Sequence, residues 1–174
     1  LKISNEKMLK RHPQPADREE AMKIKTRDFG TIEINEQEII TFQQPIFGFE
    51  GLIHYVLLFD DEVGASFIWL QSIEDQNICF VLIDPALLLS EYPPALSPEM
   101  AEDLRKKNIN DPVFRAIAVL RNDLTQSTVN LKSPIVIDAQ SQCAAQVILD
   151  DDYPVRKPLL NGGKGGCSDA DPLT

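Results

Sequence analysis

Few residues in this 174-residue chain could do covalent chemistry. Nucleophilic catalysis needs a Ser or Cys with a base beside it. The only histidines are His12, in a polar opening segment, and His54, at the start of an apolar run. Neither stands in a catalytic context. The motifs H-E-x-x-H, G-x-S-x-G and G-x-x-x-x-G-K-[ST] are absent from the sequence. Gly162-Gly163-Lys164-Gly165-Gly166 resembles a phosphate loop only superficially, because no strand-to-helix context surrounds it. The chain is read as a non-enzyme.

Metal and redox chemistry fare no better. Cys79, Cys143 and Cys167 are far apart and form no C-x-x-C pair. Cys79 lies in ICFVLI and reads as a small buried hydrophobe, whereas Cys167 reads as a free exposed thiol. An odd, scattered set fits a reducing compartment and neither a disulfide framework nor zinc. Three acidic clusters remain: Asp60-Asp61-Glu62, Glu74-Asp75 and Asp150-Asp151-Asp152. Each follows a strand pattern. Consecutive acids on one tight turn point apart and do not wrap an ion as D-x-D-x-D-G does, so solvated turns are expected. No metal or cofactor is predicted.

One stretch invites another kind of chemistry. Residues 45–52 read PIFGFEGL, which places Phe47 and Phe49 in a segment that proline and glycine mark as a turn. Turns usually lie at the surface. The two rings either fold back to plug a barrel mouth or form part of an exposed apolar patch for a partner. Glu50 should face water in both cases.

Strands must position these groups. MKIKTRDF and TIEIN flank Gly30, which predicts a hairpin with Ile32 and Ile34 on one face and Glu33 on the other. EIITF, HYVLLF, SFIWLQS and ICFVLID follow, with apolar residues on both faces, so burial on both sides is expected. Asp84-Pro85 should open a helix through PALLLSEY that Pro93 and Pro94 end, and Ser97-Pro98 a second through EMAEDLRKKN. VFRAIAVLR, TVNLKSPIVID and AAQVILDDD read as three further strands. The pattern predicts a mainly β single domain, an antiparallel β-barrel with one or two short helices. A strand-rich α+β sandwich is the alternative.

Residues 1–21 alternate charges without an apolar stripe and are expected to be a flexible N-terminal extension, the patterned domain running from Met22 to about residue 160. Residues 161–174 are Gly-rich and read as a disordered tail. No stretch approaches the roughly 18 apolar residues of a membrane span, and no signal segment opens the chain. A cytoplasmic location is expected. The formal net charge of -10 disfavours direct nucleic-acid binding, which requires Lys and Arg against phosphates, and is compatible with a basic protein partner.

From Met22 to Leu160 the order of motifs resembles the flagellar assembly factor FliW family. The carriers are Phe47-Gly48-Phe49-Glu50-Gly51, Trp69-Leu70-Gln71-Ser72, Asp84-Pro85 with Tyr92, Asn130-Leu131, Pro134-Ile135-Val136-Ile137, Gln146-Val147-Ile148-Leu149, then Tyr153 and Arg156. Asp138 stands where the family pattern suggests Asn, and Gln142-Cys143-Ala144-Ala145 replaces a more basic turn. The resemblance implies a non-catalytic antiparallel barrel that binds flagellin and CsrA, a small basic RNA-binding repressor of translation. It implies that flagellin, as it accumulates, takes up the regulator and frees CsrA to silence flagellin messenger RNA. On that reading Phe47, Phe49 and Leu52 are the candidates for flagellin, with Glu50 beside them in the protein-binding set. Asp60, Asp61, Glu62 and Asp150 to Asp152 are the candidates for repelling RNA from docked CsrA. A small-molecule or flavin-binding split barrel and a self-assembling structural protein are the competing classes.

Overall fold

A computed structural model describes residues 21–64 and 66–160. The expectations for the N-terminal extension and for the Gly-rich tail fall on residues outside these, apart from Ala21.

Strand alternation explains the architecture. In β4 (His54–Leu58), Tyr55 turns to one side and Val56 to the other, yet both are buried. The same holds along β5 (Phe67–Ser72) and β6 (Cys79–Ile83). Each face of these strands therefore needs its own cover. One face points into a closed barrel, and the other is packed from outside.

The barrel has seven strands. β3 (Ile39–Phe42), β4, β5, β6, β7 (Val113–Val119) and β8 (Thr128–Asp138) pair antiparallel in succession, and β9 (Cys143–Gln146) joins β8 to β3. The closing pair is parallel, with Thr41 opposite Cys143 and Phe42 opposite Ala144. The predicted barrel is present, with that one parallel seam in an otherwise antiparallel ring. Its interior draws on all seven strands: Phe42, Tyr55, Leu70, Leu82, Ile117, Ile135 and Ala144 belong to a single cluster. Side chains fill it, as expected for a barrel of this size.

Two covers pack on the outside. The hairpin of β1 (Met22–Lys25) and β2 (Thr31–Ile34) lays Ile24 and Ile34 against Val56. Its turn uses Gly30 at φ +69, and Glu33 points outward as predicted. Phe29 meets Trp69 edge-on at 5.5 Å. The second cover is the long β6–β7 connection, whose Tyr92, Leu104 and Ile109 pack on Val81, Ala116 and Val129.

That connection holds one α-helix, α1 (Pro98–Lys106), opened by the Ser97 side chain accepting the Met100 N–H at 3.2 Å. The helix predicted through PALLLSEY is only a 3-10 turn over Pro85–Leu87. Asp84 caps it as expected, accepting the Ala86 N–H at 2.9 Å. The segment before Pro93 is too short to repay helix nucleation. Instead it delivers Tyr92 to the core, where its hydroxyl donates to the Leu131 carbonyl at 3.0 Å.

β8 changes partner along its length. Its second half pairs β9, while its first half pairs β10 (Lys157–Pro158). The strand predicted from AAQVILDDD ends at Gln146, beside a stretch of β8 where the β7–β8 register shifts between Arg115 and Ile117. Beyond Gln146, Val147 and Leu149 still donate to the Pro134 and Lys132 carbonyls, each at 3.0 Å.

A candidate protein-binding face

The PIFGFEGL turn joins β3 to β4 at one end of the barrel, and it divides its apolar residues between two tasks. Ile46 is buried, and Phe49 sets its ring edge-on against Phe80, 4.9 Å between centroids at 89°. Leu52 packs into the same interior cluster. These residues close the barrel end. Phe47 does not join them, and its side chain is 49% exposed.

The backbone around Phe47 is fixed all the same. Its N–H donates to Gln146 Oε1 at 3.0 Å, and Gln146 Nε2 donates to the Ser133 carbonyl at 3.1 Å. Gly48 sits at φ +86, where a side chain would be strained, and its N–H donates to Glu50 Oε1 at 3.1 Å. Glu50 is exposed. A rigid backbone under an exposed ring lowers the ordering entropy that a partner would otherwise have to overcome.

The far side of the turn is clamped by Glu74. Its carboxylate accepts the Ile53 N–H at 3.2 Å and the His54 N–H at 3.0 Å, and it meets the His54 ring Nδ1 at 2.8 Å. Burial alone would raise this carboxyl's pKa. The donors from Ile53, His54 and Ser72 outweigh burial and hold it below the usual carboxylate value.

The two acidic clusters of interest lie in different places. Asp150, Asp151 and Asp152 are exposed just beyond β9, and Lys132 Nζ donates to the Asp151 carbonyl at 2.9 Å. Gln146, four residues earlier, places them at the Phe47 end. Asp60, Asp61 and Glu62 form the β4–β5 turn, where Asp60 Oδ1 accepts the Glu62 N–H at 2.9 Å. The whole of β4 separates that turn from PIFGFEGL, on the order of 17 Å of extended chain. Phe47 and Glu50 share one turn, Asp150–Asp152 follow β9 toward the same end of the barrel, and Asp60–Glu62 lie at the opposite end.

Gln146, Glu74 and Asp138 position this end and the seam, and the sequence reading assigned none of them a role. Asp138 is 2% exposed and accepts four backbone N–H groups, from Asn110, Asp111, Gln140 and Ser141, at 2.8–3.2 Å. Burial would raise its pKa, but the four donors hold it low. A polar residue inside the apolar run AAQVIL was the available signal for Gln146. Among the described residues no group of three or more His, Cys, Asp or Glu could hold a metal ion, and no helix is long and apolar enough to cross a membrane.

Comparison with known proteins agrees with the geometry. The family model described as FliW protein matches residues 23–159. The flagellar assembly factor FliW of Syntrophus aciditrophicus is 41% identical over 140 residues, covering 80% of this chain and 88% of that protein. That of Caldanaerobacter subterraneus subsp. tengcongensis is 35% identical over 150 residues, covering 86% of this chain and all of its own. A crystal structure of the flagellar assembly factor FliW superposes with a TM-score of 0.72 at 32% identity, covering 82% of this chain and 99% of that one. With the family model matched over residues 23–159 and the barrel superposed on that of a relative, the chain belongs to the FliW family of flagellar assembly factors.

Proposed function

We propose that this flagellar assembly factor is a non-enzymatic, cytoplasmic regulator that binds flagellin and the translational repressor CsrA. By antagonising CsrA's hold on RNA it controls flagellin translation. The observation that carries the reading is an exposed, backbone-pinned Phe47 at the end of the barrel toward which β9 leads into the exposed acidic Asp150–Asp152 segment. Phe47 supplies an apolar anchor for an amphipathic flagellin segment. The acidic turn supplies a field that a basic partner would seek and that RNA phosphates would avoid.

Charge supports the division. Residues 21–160 hold eleven Lys and Arg against twenty-one Asp and Glu, so the full -10 sits on the described domain. At physiological salt the Debye length is ~8 Å, so only carboxylates at the rim of a docked interface reach the RNA path. The flavin or small-molecule reading would need free volume in the barrel, which side chains from all seven strands occupy.

Binding of the purified chain to CsrA and to flagellin, each alone and then in competition, tests the proposal. Saturable binding of both, with loss of CsrA's RNA affinity, is the expected result. Binding of neither would sink it.

A further inference from the structure

The parallel seam fixes the place of one more exposed apolar residue. Its register pairs Thr41 with Cys143 and Phe42 with Ala144, and carried on it brings Ile46 and Phe47 level with Ile148 and Leu149. The chain holds to that course. The Gln43 N–H donates to the Ala144 carbonyl at 2.9 Å, and the Phe47 N–H reaches Gln146 Oε1 at 3.0 Å.

Alternation decides which side chains beyond β9 meet the turn. Val147 and Leu149 keep the ladder to β8, so the chain stays extended past Gln146. Ala145, Val147 and Leu149 pack in the outer cluster with Val129 and Leu131, whereas Ala144 faces the barrel interior. Gln146 and Ile148 therefore lie on Ala144's side. The interior is closed there by Ile46, Phe49 and Leu52, so Ile148 emerges past the plug and is 54% exposed.

β8 is shaped to leave it open. Between its pairing of Asn130 with Ile117 and of Ile135 with Arg115, β8 holds extra residues. Asn130 Oδ1 ties them down by accepting the Lys132 and Ser133 N–H groups, each at 3.0 Å. Lys132 Nζ in turn donates to the Asp150 and Asp151 carbonyls at 3.4 and 2.9 Å, which draws the chain after Leu149 toward this bulge. Bulges re-aim side chains next to functional sites.

Single apolar residues scattered on a surface need no explanation. Phe47 and Ile148 are placed by one residue, Gln146: Phe47 through the hydrogen bond, Ile148 through two residues of extended chain, about 7 Å. β9 is paired on both sides, to β8 and to β3, so a partner cannot add a strand to it and must be held by side chains. An amphipathic helix offers a stripe of apolar side chains three and four residues apart, which suits two contacts on separate elements.

We infer that Ile148 is the second apolar contact of the Phe47 site, and that the pair receives the apolar side of an amphipathic helical segment. The inference rests on the reading of Phe47 as an anchor and adds to it a residue from across the seam.

A double-mutant cycle on the full chain, with flagellin as titrant, tests it. Phe47→Ala and Ile148→Ser should each weaken binding about tenfold, and the double variant should lose less than the product of the two. Leu87→Ser, at an exposed apolar residue of the β6–β7 connection, should change nothing. All these positions are exposed, so melting midpoints should match wild type. If Ile148→Ser lowers its own, Ile148→Thr, which keeps the β-branched shape, takes its place. Full affinity in the Ile148 variant beside a weakened Phe47→Ala overturns the inference and leaves the Phe47 anchor standing. Single losses that multiply without coupling overturn it, as does equal weakening by Leu87→Ser. An unaffected Phe47→Ala overturns the anchor and the inference together.

Discussion

The backbone N–H of Phe47 is held at 3.0 Å by the side-chain oxygen of Gln146, 99 residues further along the chain. The exposed ring is therefore aimed by the strand that closes the barrel. Gln146→Leu removes that acceptor and the donor to Ser133, leaving both backbone groups unsatisfied in a nearly buried place. Urea unfolding should show a loss of about 1–3 kcal/mol. Flagellin affinity should fall with it, and an unchanged affinity would detach Phe47's aim from Gln146.

The two phenylalanines of the turn should behave differently. Phe47→Ala, at an exposed position, should leave stability within about 0.5 kcal/mol and weaken flagellin binding. Phe49→Ala removes the ring packed on Phe80 and should cost about 2 kcal/mol. Thermal unfolding of both variants, run beside flagellin titrations, separates anchor from plug.

Acid should loosen the fold through two carboxylates. Glu74 and Asp138 both have folded pKa values held below their usual range by hydrogen bonds that outweigh burial. A depressed carboxyl contributes stability that is complete above its unfolded value, about 4, and is lost as pH falls through the folded one. Melting midpoints of Glu74→Gln and Asp138→Asn should lie below wild type at neutral pH and converge with it on acidification below about pH 4. Parallel curves at all pH values would show that neither charge matters.

The two acidic turns predict different effects on CsrA. Converting Asp150, Asp151 and Asp152 to Asn should reduce the loss of CsrA's RNA affinity at low salt, with a smaller change at high salt. Converting Asp60, Asp61 and Glu62, at the other end of β4, to Asn and Gln should do less. The opposite ranking in an RNA competition assay would move the CsrA surface to the β4–β5 turn.

Two buried tyrosines give a further contrast. The Tyr92 hydroxyl donates to the Leu131 carbonyl, whereas the Tyr55 hydroxyl has no hydrogen-bond partner among the described residues. Burial, then the Glu74 charge, push Tyr55 up to about 12. Tyr92→Phe should cost roughly 0.5–1.5 kcal/mol and orphan the carbonyl, while Tyr55→Phe should be neutral or stabilising. Chemical denaturation of the pair decides it.

The sequence made the strands legible because alternation and turn residues are local. Gly30, Gly48 and the Ser97-Pro98 cap all appear where their residue types suggested. The helix through PALLLSEY was misjudged because a correct start signal at Asp84-Pro85 says nothing about length. Tertiary demand for Tyr92 set its end. The parallel seam and the roles of Gln146, Glu74 and Asp138 were hidden for a different reason: each depends on neighbours distant in sequence. Asp138, where the family pattern suggested Asn, illustrates this. Its second oxygen accepts the Asn110 and Asp111 N–H groups, contacts that no local window contains.

The parallel pairing of β3 with β9 has a consequence for synthesis. A ribosome releases Ile39–Phe42 about a hundred residues before Cys143–Gln146, and during that interval the nascent sheet has an unsealed margin. Only β9 both seals it and supplies the oxygen that orients Phe47. A chain cut short before Cys143 would consequently keep that margin open to misassembly and leave the Phe47 N–H without its acceptor.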